Sequence, residues 1–341
     1  MGGFLLRRLA FIPLVLAGLS ILIFALLQQL SPEMRAALYI KDPRQLSAIE
    51  EVIQTYHLRD PIYVQYAGWL KEVLKGNLGW SETAKMTVWE AIKVYFPATL
   101  ELTVISFAMT LVIGLWLGTI SAVHKDKMID HVSRFISITG TSFPTFVIGL
   151  VLLMIFYGKF GWLPPGRSCP EIQLLMGFGE YKLYTGSMII DGILNGKLAV
   201  AWDGLKHIIL PALTLTYVEI ALLMRVTRSS MLEELGKDYV RTARAKGLDE
   251  RTVITKHARK NAMIPVITLS SILFVALLGG VAITETVFDF PGIGRWGLNA
   301  AQQLDIPGVL GFASLSAVLF VIGNTLADVL YAIVDPRIRL Q

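Results

Sequence analysis

A single cysteine, Cys169, stands in 341 residues, so the chain alone cannot build a disulfide framework, a CxxC redox pair or a thiolate metal cage. Charge is scarce too: 17% of side chains are Asp, Glu, Lys or Arg, against about a quarter in a soluble domain. The five histidines, His57, His124, His131, His207 and His257, show no HExxH or paired spacing, which disfavours a metal site. Every Gly-Lys pair (Gly158-Lys159, Gly196-Lys197, Gly236-Lys237) lacks both the following Ser or Thr and the upstream glycine of a P-loop, so ATP is not cradled in that way. No internal repeat and no low-complexity linker appears, and the chain reads as one folded unit.

What is abundant is apolar surface, at 54% of residues. A helix needs about 20 apolar residues to cross a hydrocarbon layer of about 30 Å, because lipid offers backbone polar groups no partner. Six segments meet that length: Phe11 to Leu30, Leu100 to Val123, Phe135 to Phe156, His207 to Arg225, Ala262 to Thr284 and Val309 to Val334. Pro211 and Glu219 interrupt the fourth. The first follows basic residues as a secretory signal does, but its length and the lack of a small-x-small cleavage site predict a retained helix.

Orientation follows from the basic residues, whose excess (net charge +5) falls in short segments between apolar runs and not in a nucleic-acid-binding stripe. Arg225 to Lys260 carries ten Lys or Arg against five acids, which places that loop in the cytoplasm. Arg7, Arg8, Lys125, Lys127, Arg337 and Arg339 then share its side. The expected molecule is an all-α integral membrane protein with six transmembrane helices and both termini cytoplasmic. Its parts are residues 1–30 (first helix), 31–97 (external segment) and 98–341 (core), the core including a cytoplasmic loop at 229–261 and an external segment at 157–206.

In the first external segment, DPRQLSAIEEVIQTYH and YVQYAGWLKEVLKG space apolar residues as amphipathic helices do. Trp80, Trp89, Trp162 and Trp296 lie near external ends, as an interfacial aromatic belt does. Gly279 and Gly280, with Ala276 and Ala282, give the fifth span small residues for close helix approach.

The cytoplasmic loop is longer than a mere connection requires. SSMLEELGKDYVRTARAKG has helix-forming composition, Gly247 supplies a break, and LDERTVITKHARKNAMIP reads as a second short helix leading into the fifth span. A helix, a glycine turn and a surface helix make a knob; the plain alternative is a solvated basic loop that only sets orientation.

The stretch RTARAKGLDERTVITKHARKNAMIP resembles the cytoplasmic coupling loop of ABC-importer permeases, in the form found in dipeptide and oligopeptide permeases. Arg241, Thr242 and Ala243 fall where the general motif has Glu-Ala-Ala, and Gly247 falls on its glycine, whereas its later Leu-Pro falls on Arg259 and Lys260. Similar to the same subgroup, in order, are LRDPIYVQYAGWLKEVLKGNLGWS, FPATLELT, TSFPTFVIG, ETVFDFPGIGRWGLNAAQQLDIPG and NTLADVLYAIVDPRIRL. The turn after the first span and residues 157–206 depart from the pattern.

The resemblance implies an ABC-importer permease fold in a prokaryotic plasma (inner) membrane. It further implies a second homologous permease subunit, two ATPase subunits (same or different) that bind the ATP and Mg²⁺, and an external substrate-binding protein. No cofactor is expected in this chain, and no enzymatic activity. The short helix around Leu248 to His257 is expected to enter a cleft of the ATPase, with Arg241, Thr242, Ala243, Gly247, Leu248, Asp249 and His257 as coupling residues. Dipeptides, oligopeptides or metal chelates are the implied cargo.

Acids in apolar spans are expensive to insert, at about 2.5–3.5 kcal/mol at the helix centre, and are weighed singly. Glu219 either lines a pathway and meets a peptide amino group or is a hydrogen-bonded carboxyl between helices; Asp328 bonds to nearby backbone or to Asn324. Glu285, Asp289, Pro291 and Gly292 form either an external gate or a plain helix-ending turn. A secondary transporter or channel would show inverted repeats and broken helices, and a membrane enzyme a nucleophile-base pair or a metal constellation; neither set is visible in the sequence.

Overall fold

The computed structural model describes residues 2–40, 49–177 and 181–334, and side chains from 12 to 326 within those limits. Helix α1 (Gly2–Leu27) continues through Pro13 and ends where Ser31 caps α2 (Pro32–Ala36). The chain then folds back: α3 (Ile49–Thr55) and α4 (Ile62–Leu74) pack Ile53, Leu58 and Trp69 against Phe24 and Leu27 of α1. They lie in the two stretches whose spacing predicts one or two amphipathic helices after the first span; residues 41–48 lie outside the described residues. A short hairpin, β1 (Trp80–Ser81) with β2 (Met86–Thr87), leads into α5 (Val88–Val123). Thr87 and Glu90 form a reciprocal capping box there, which satisfies two end amides and fixes where α5 begins.

Helix α5 has 36 residues, about 54 Å at 1.5 Å per residue, so it outreaches a hydrocarbon layer of about 30 Å. The expected span Leu100 to Val123 is its C-terminal part. Helix α10 (Leu198–Leu235) is as long and runs unbroken through Pro211 and Glu219, which the sequence marked as interruptions. It is the hub: 67% of its most apolar window is buried, against 22–39% in the three other straight spanning helices.

The α5–α10 seam is built from small residues. Ser106, Thr110, Gly114, Gly118 and Ser121 lie buried along one face of α5. A Cβ on Gly114 would sit 2.9 Å from Leu223, and one on Gly118 2.6 Å from Thr227, so the two axes approach as far as glycine permits. Thr216 Oγ1 donates to the Ser106 carbonyl at 3.2 Å across the seam.

Two spans differ from expectation. The third is not one straight helix: α6 (Met128–Ser142) and α7 (Thr145–Leu153, with a π-helical extension over Met154–Lys159) meet at 106°. Pro144 disfavours helical backbone at the residue before it, and Phe143 is extended (φ −91°, ψ 135°). The fifth span ends at Leu278 and not at Thr284. Helix α13 (Arg259–Leu278) stops at Gly279-Gly280, and α14 (Ala282–Val287) restarts beyond it. Gly280 has φ +95°, and a Cβ there would stand 2.9 Å from Gly294 Cα. The paired glycines therefore break the helix, and Gly280 lets the chain pass close to Gly294 at the start of α15.

Helices α8 (Pro170–Gly177) and α9 (Met188–Leu194) lie in the 157–206 segment. Glu101 of α5 anchors that segment: Ser187 Oγ donates to it at 2.5 Å, and the Met188 and Ile189 amides at 3.2 and 3.1 Å. Helices α15 (Ile293–Gln302) and α16 (Ile306–Val334) complete the chain. Trp296 is not part of an interfacial belt. It is 3% exposed, stacks on Tyr95 and donates Nε1–H to Ser81 Oγ at 3.3 Å, whereas Trp89 and Trp162 are exposed.

Among the described residues four helical runs are long and apolar enough to cross a bilayer: α5, α10, Glu250–Leu278 and Ile306–Leu326. The bent α6–α7 pair makes a fifth if counted as one span, and α1 contributes a shorter apolar helix, Ile12–Leu27.

Candidate functional site

The knob grows from the C-terminal end of α10. After Gly236 the chain turns into α11 (Asp238–Ala245), whose apolar face, Val240 and Ala243, is buried against Met231, Val253, Ala258 and Ala262. Its outer face is polar and exposed. Arg241 lies beside Asp238 at 3.4 Å, and Thr242 Oγ1 donates to the Asp238 carbonyl at 2.9 Å.

Gly247 closes α11. Its amide donates to the Arg244 carbonyl at 2.9 Å and the Leu248 amide to the Ala243 carbonyl at 3.4 Å, the paired bonds of a Schellman cap, with Gly247 at φ +79°. Asp249 starts the next helical turn, α12 (Glu250–Thr252), by accepting the Thr252 amide at 2.9 Å. Bonds from the Thr252 side chain and backbone hold the Asp249 carboxyl below its ordinary pKa. Arg244 reaches Glu250 through two bonds of 3.1 and 2.7 Å, bridging the Gly247 turn, and this contact raises the pKa of its guanidinium. At the tip Leu248 is 41% exposed.

The short helix of the knob is therefore α11, before Gly247. Leu248 to His257 forms no separate helix: from Glu250 it runs through a π-helical turn (Val253–Ala258) straight into α13, so the fifth span and the knob share one axis. His257 lies in that turn, with its carbonyl accepting from Tyr239 OH at 3.3 Å. Gly247 is the break that the sequence predicts, and Arg241, Thr242, Gly247, Leu248 and Asp249 are exposed together around it while Ala243 is buried.

Glu285, Asp289, Pro291 and Gly292 also come together. Glu285 is fully buried and accepts Thr99 Oγ1 and the Arg295 amide, each at 2.6 Å. Thr99 Oγ1 accepts the Ile293 amide at 2.8 Å, so one carboxylate pins α5 to the start of α15. A Cβ on Gly292 would fall 2.2 Å from Glu285 Cδ, which is why glycine follows Pro291 there. Asp289, at φ +53°, pairs with Arg295 at 2.6 Å near the surface.

Glu219 stands mid-way along α10 with one carboxylate oxygen buried and without a hydrogen-bond partner among the described residues. The Asp328 side chain lies outside the described residues.

Three groupings escaped the sequence. Asp130 and Arg228 form a buried ion pair on the knob side, 98 residues apart. Glu101 anchors the 157–206 segment, as described above. Cys169, Asp203 and His207 converge with their ligand atoms within 4.8 Å, one histidine joined by two other donor types. The i,i+4 spacing of Asp203 and His207 on one helix was the available signal; the approach of Cys169 is tertiary.

The profile of a family described as binding-protein-dependent transport system inner membrane component matches residues 114–340, which include α10, the whole knob and α13. The chain belongs to this family of inner-membrane components. Similarity to transport system permease proteins extends beyond the matched region. The probable D,D-dipeptide transport system permease protein DdpB of Escherichia coli K12 is 38% identical over 325 residues, 95% of this chain and 94% of that one. The dipeptide transport system permease protein DppB of Alkalihalophilus pseudofirmus is 36% identical over 99% of both chains. The oligopeptide transport system permease protein AppB of Bacillus subtilis is 37% identical over 99% of this chain and all of that one. Residues 31–97 are thus covered by the similarity to these permeases, although they precede the family match.

Proposed function

We propose that this chain is one permease subunit of an ATP-binding-cassette importer for di- or oligopeptides, multi-pass in a prokaryotic plasma (inner) membrane. The observation that carries the reading is the knob: a helix-Schellman turn-helix unit with a buried inner face, an exposed tip, and an unbroken axis into a membrane-length helix. Near full-length similarity to permeases named for dipeptide and oligopeptide transport supports peptides as cargo.

In this reading six spans cross the bilayer, the bent α6–α7 pair counting as the third, with both termini and the knob in the cytoplasm. Two ATPase subunits, same or different, bind ATP and Mg²⁺. One receives the tip formed by Arg241, Thr242, Gly247, Leu248 and Asp249. A second homologous permease completes the pathway, and an external binding protein delivers peptide onto the surface of residues 31–97 and 157–206. Closure of the ATPases moves the knob, α13 follows as a lever, and the pathway opens outward; hydrolysis resets it. Shifting such an equilibrium from 1:99 to 99:1 takes about 5.5 kcal/mol of differential binding, within reach of two nucleotide sites.

Glu219 serves in the pathway as the partner of a peptide's amino group, supported by its unpartnered buried oxygen. Glu285 acts as the fixed peg of the external loop, and Asp289 with Arg295 as its surface latch.

Co-expression with the neighbouring transport genes and purification in detergent tests the reading. A stable complex whose ATPase activity rises with binding protein and peptide is expected; a chain that purifies alone and moves substrate in liposomes without ATP would overturn it.

A further inference from the structure

At the end of α10 opposite the knob, three side chains of metal-binding type converge: Cys169, just before α8, and Asp203 and His207, one turn apart on α10. His207 is only 2% exposed and Asp203 8%, so this is not an accidental cluster of solvated surface groups. His207 Nδ1 lies 2.8 Å from the carbonyl oxygen of Asp203. Donation of Nδ1–H to that carbonyl fixes the tautomer and leaves the Nε2 lone pair free, the arrangement found in metal-ligating histidines. Nε2 faces Cys169 Sγ at 3.9 Å. A Zn–S bond of about 2.3 Å and a Zn–N bond of about 2.1 Å together reach about 4.4 Å, so one ion can touch both atoms. Asp203 Oδ2 accepts the Cys169 amide at 2.9 Å, which holds the cysteine in place, and its carboxylate supplies the third donor.

We propose that Cys169, Asp203 and His207 form a binding site for a Zn²⁺-class transition-metal ion that ties the start of α8 to α10. The donor set of thiolate, imidazole and one carboxylate selects against Mg²⁺ and Ca²⁺, which take oxygen ligands. Three protein ligands leave a fourth position for water or an arriving ligand. On binding, the Cys169 S–H bond breaks, its proton goes to solvent, and the sulfur lone pair forms the metal bond. The site does not depend on the transport reading, since it involves neither the knob nor Glu219.

Because Cys169 is the chain's one thiol, its alkylation reports occupancy directly. The full-length chain, purified with its partners in detergent, is treated with a maleimide with or without Zn²⁺, and labelling of this chain is read by mass spectrometry. Zn²⁺ should slow alkylation at least about tenfold, Mg²⁺ should not, and the protection should vanish in D203N and in H207Q. D203N keeps the side chain's shape and its Oδ acceptor for the Cys169 amide, and so gives a second variant should His207 not tolerate change. An alkylation rate unaffected by Zn²⁺ in the native chain would overturn the site, as would equal protection by Mg²⁺. Undiminished Zn²⁺ protection in both variants would mean that the ion meets the thiol alone, and would overturn it as well.

Discussion

Arg228 grips Asp130 through Nε at 2.6 Å and Nη2 at 2.8 Å, joining the first turn of α6 to the C-terminal part of α10. Ser121 Oγ and the Asp126 amide add two more donors, at 2.6 and 3.0 Å, to a carboxylate with no exposure. Removing one partner of such a pair strands the other, at about 3–5 kcal/mol. D130A should therefore lower the thermal midpoint in detergent by several degrees, and D130A/R228L should recover part of the loss. A double variant as unstable as the sum of the single changes would show that the pair is not coupled.

Gly247 is expected to fail as proline while the membrane part survives. Proline fixes φ near about −65° and has no N–H, whereas Gly247 sits at φ +79° and donates to Arg244. G247P should reach the membrane at normal levels and lose peptide uptake; normal uptake would detach the knob from coupling.

Leu248 offers an apolar tip that is 41% exposed. L248D should leave the purified chain's stability within about 0.5 kcal/mol, as for an exposed position. It should cut the ATPase retained on co-purification at least about tenfold, equivalent to about 1.4 kcal/mol of association. Full retention would place the ATPase contact elsewhere.

The Glu285 peg makes a prediction about glycine. G292A must displace a buried carboxylate and is expected to cost about 1–3 kcal/mol, with a similar loss for T99V, which removes a buried hydroxyl from the same network. Both are read as shifts in thermal midpoint. Because they break one unit, the double change should lose less than the two losses combined; full additivity would separate them.

For Glu219 the informative change is E219Q, which keeps shape and removes charge. A pathway partner for an amino group predicts weaker uptake of free-amino peptides and little change for N-acetylated ones. Identical uptake of both would return Glu219 to a packing role.

The spans were legible because about 20 consecutive apolar residues have few uses other than crossing lipid, and the knob because Gly247 ends a helix at a place where only positive φ continues the chain. The kink at Phe143-Pro144 was equally present in the sequence, but the uncharged run on both sides of it masked it. Hydropathy sees composition and is blind to direction. The Leu248–His257 stretch does lead helically into the fifth span, but the π-turn that makes it continuous with α13 leaves no mark in composition. Gly279-Gly280 serve close approach, as their size predicts, but at a helix break: Gly280 has positive φ and meets Gly294 of α15. Glu101, the Asp130–Arg228 pair and the meeting of Cys169 with His207 were not legible at all, since each joins residues at least 38 positions apart. Such pairings are fixed by which helices lie side by side.

The most direct test of the account is uptake of a labelled dipeptide into proteoliposomes holding this chain with its co-expressed partners, with binding protein on the substrate side and ATP on the knob side. Accumulation that requires ATP and binding protein together is the predicted result. Accumulation driven by a proton or sodium gradient without ATP would contradict it.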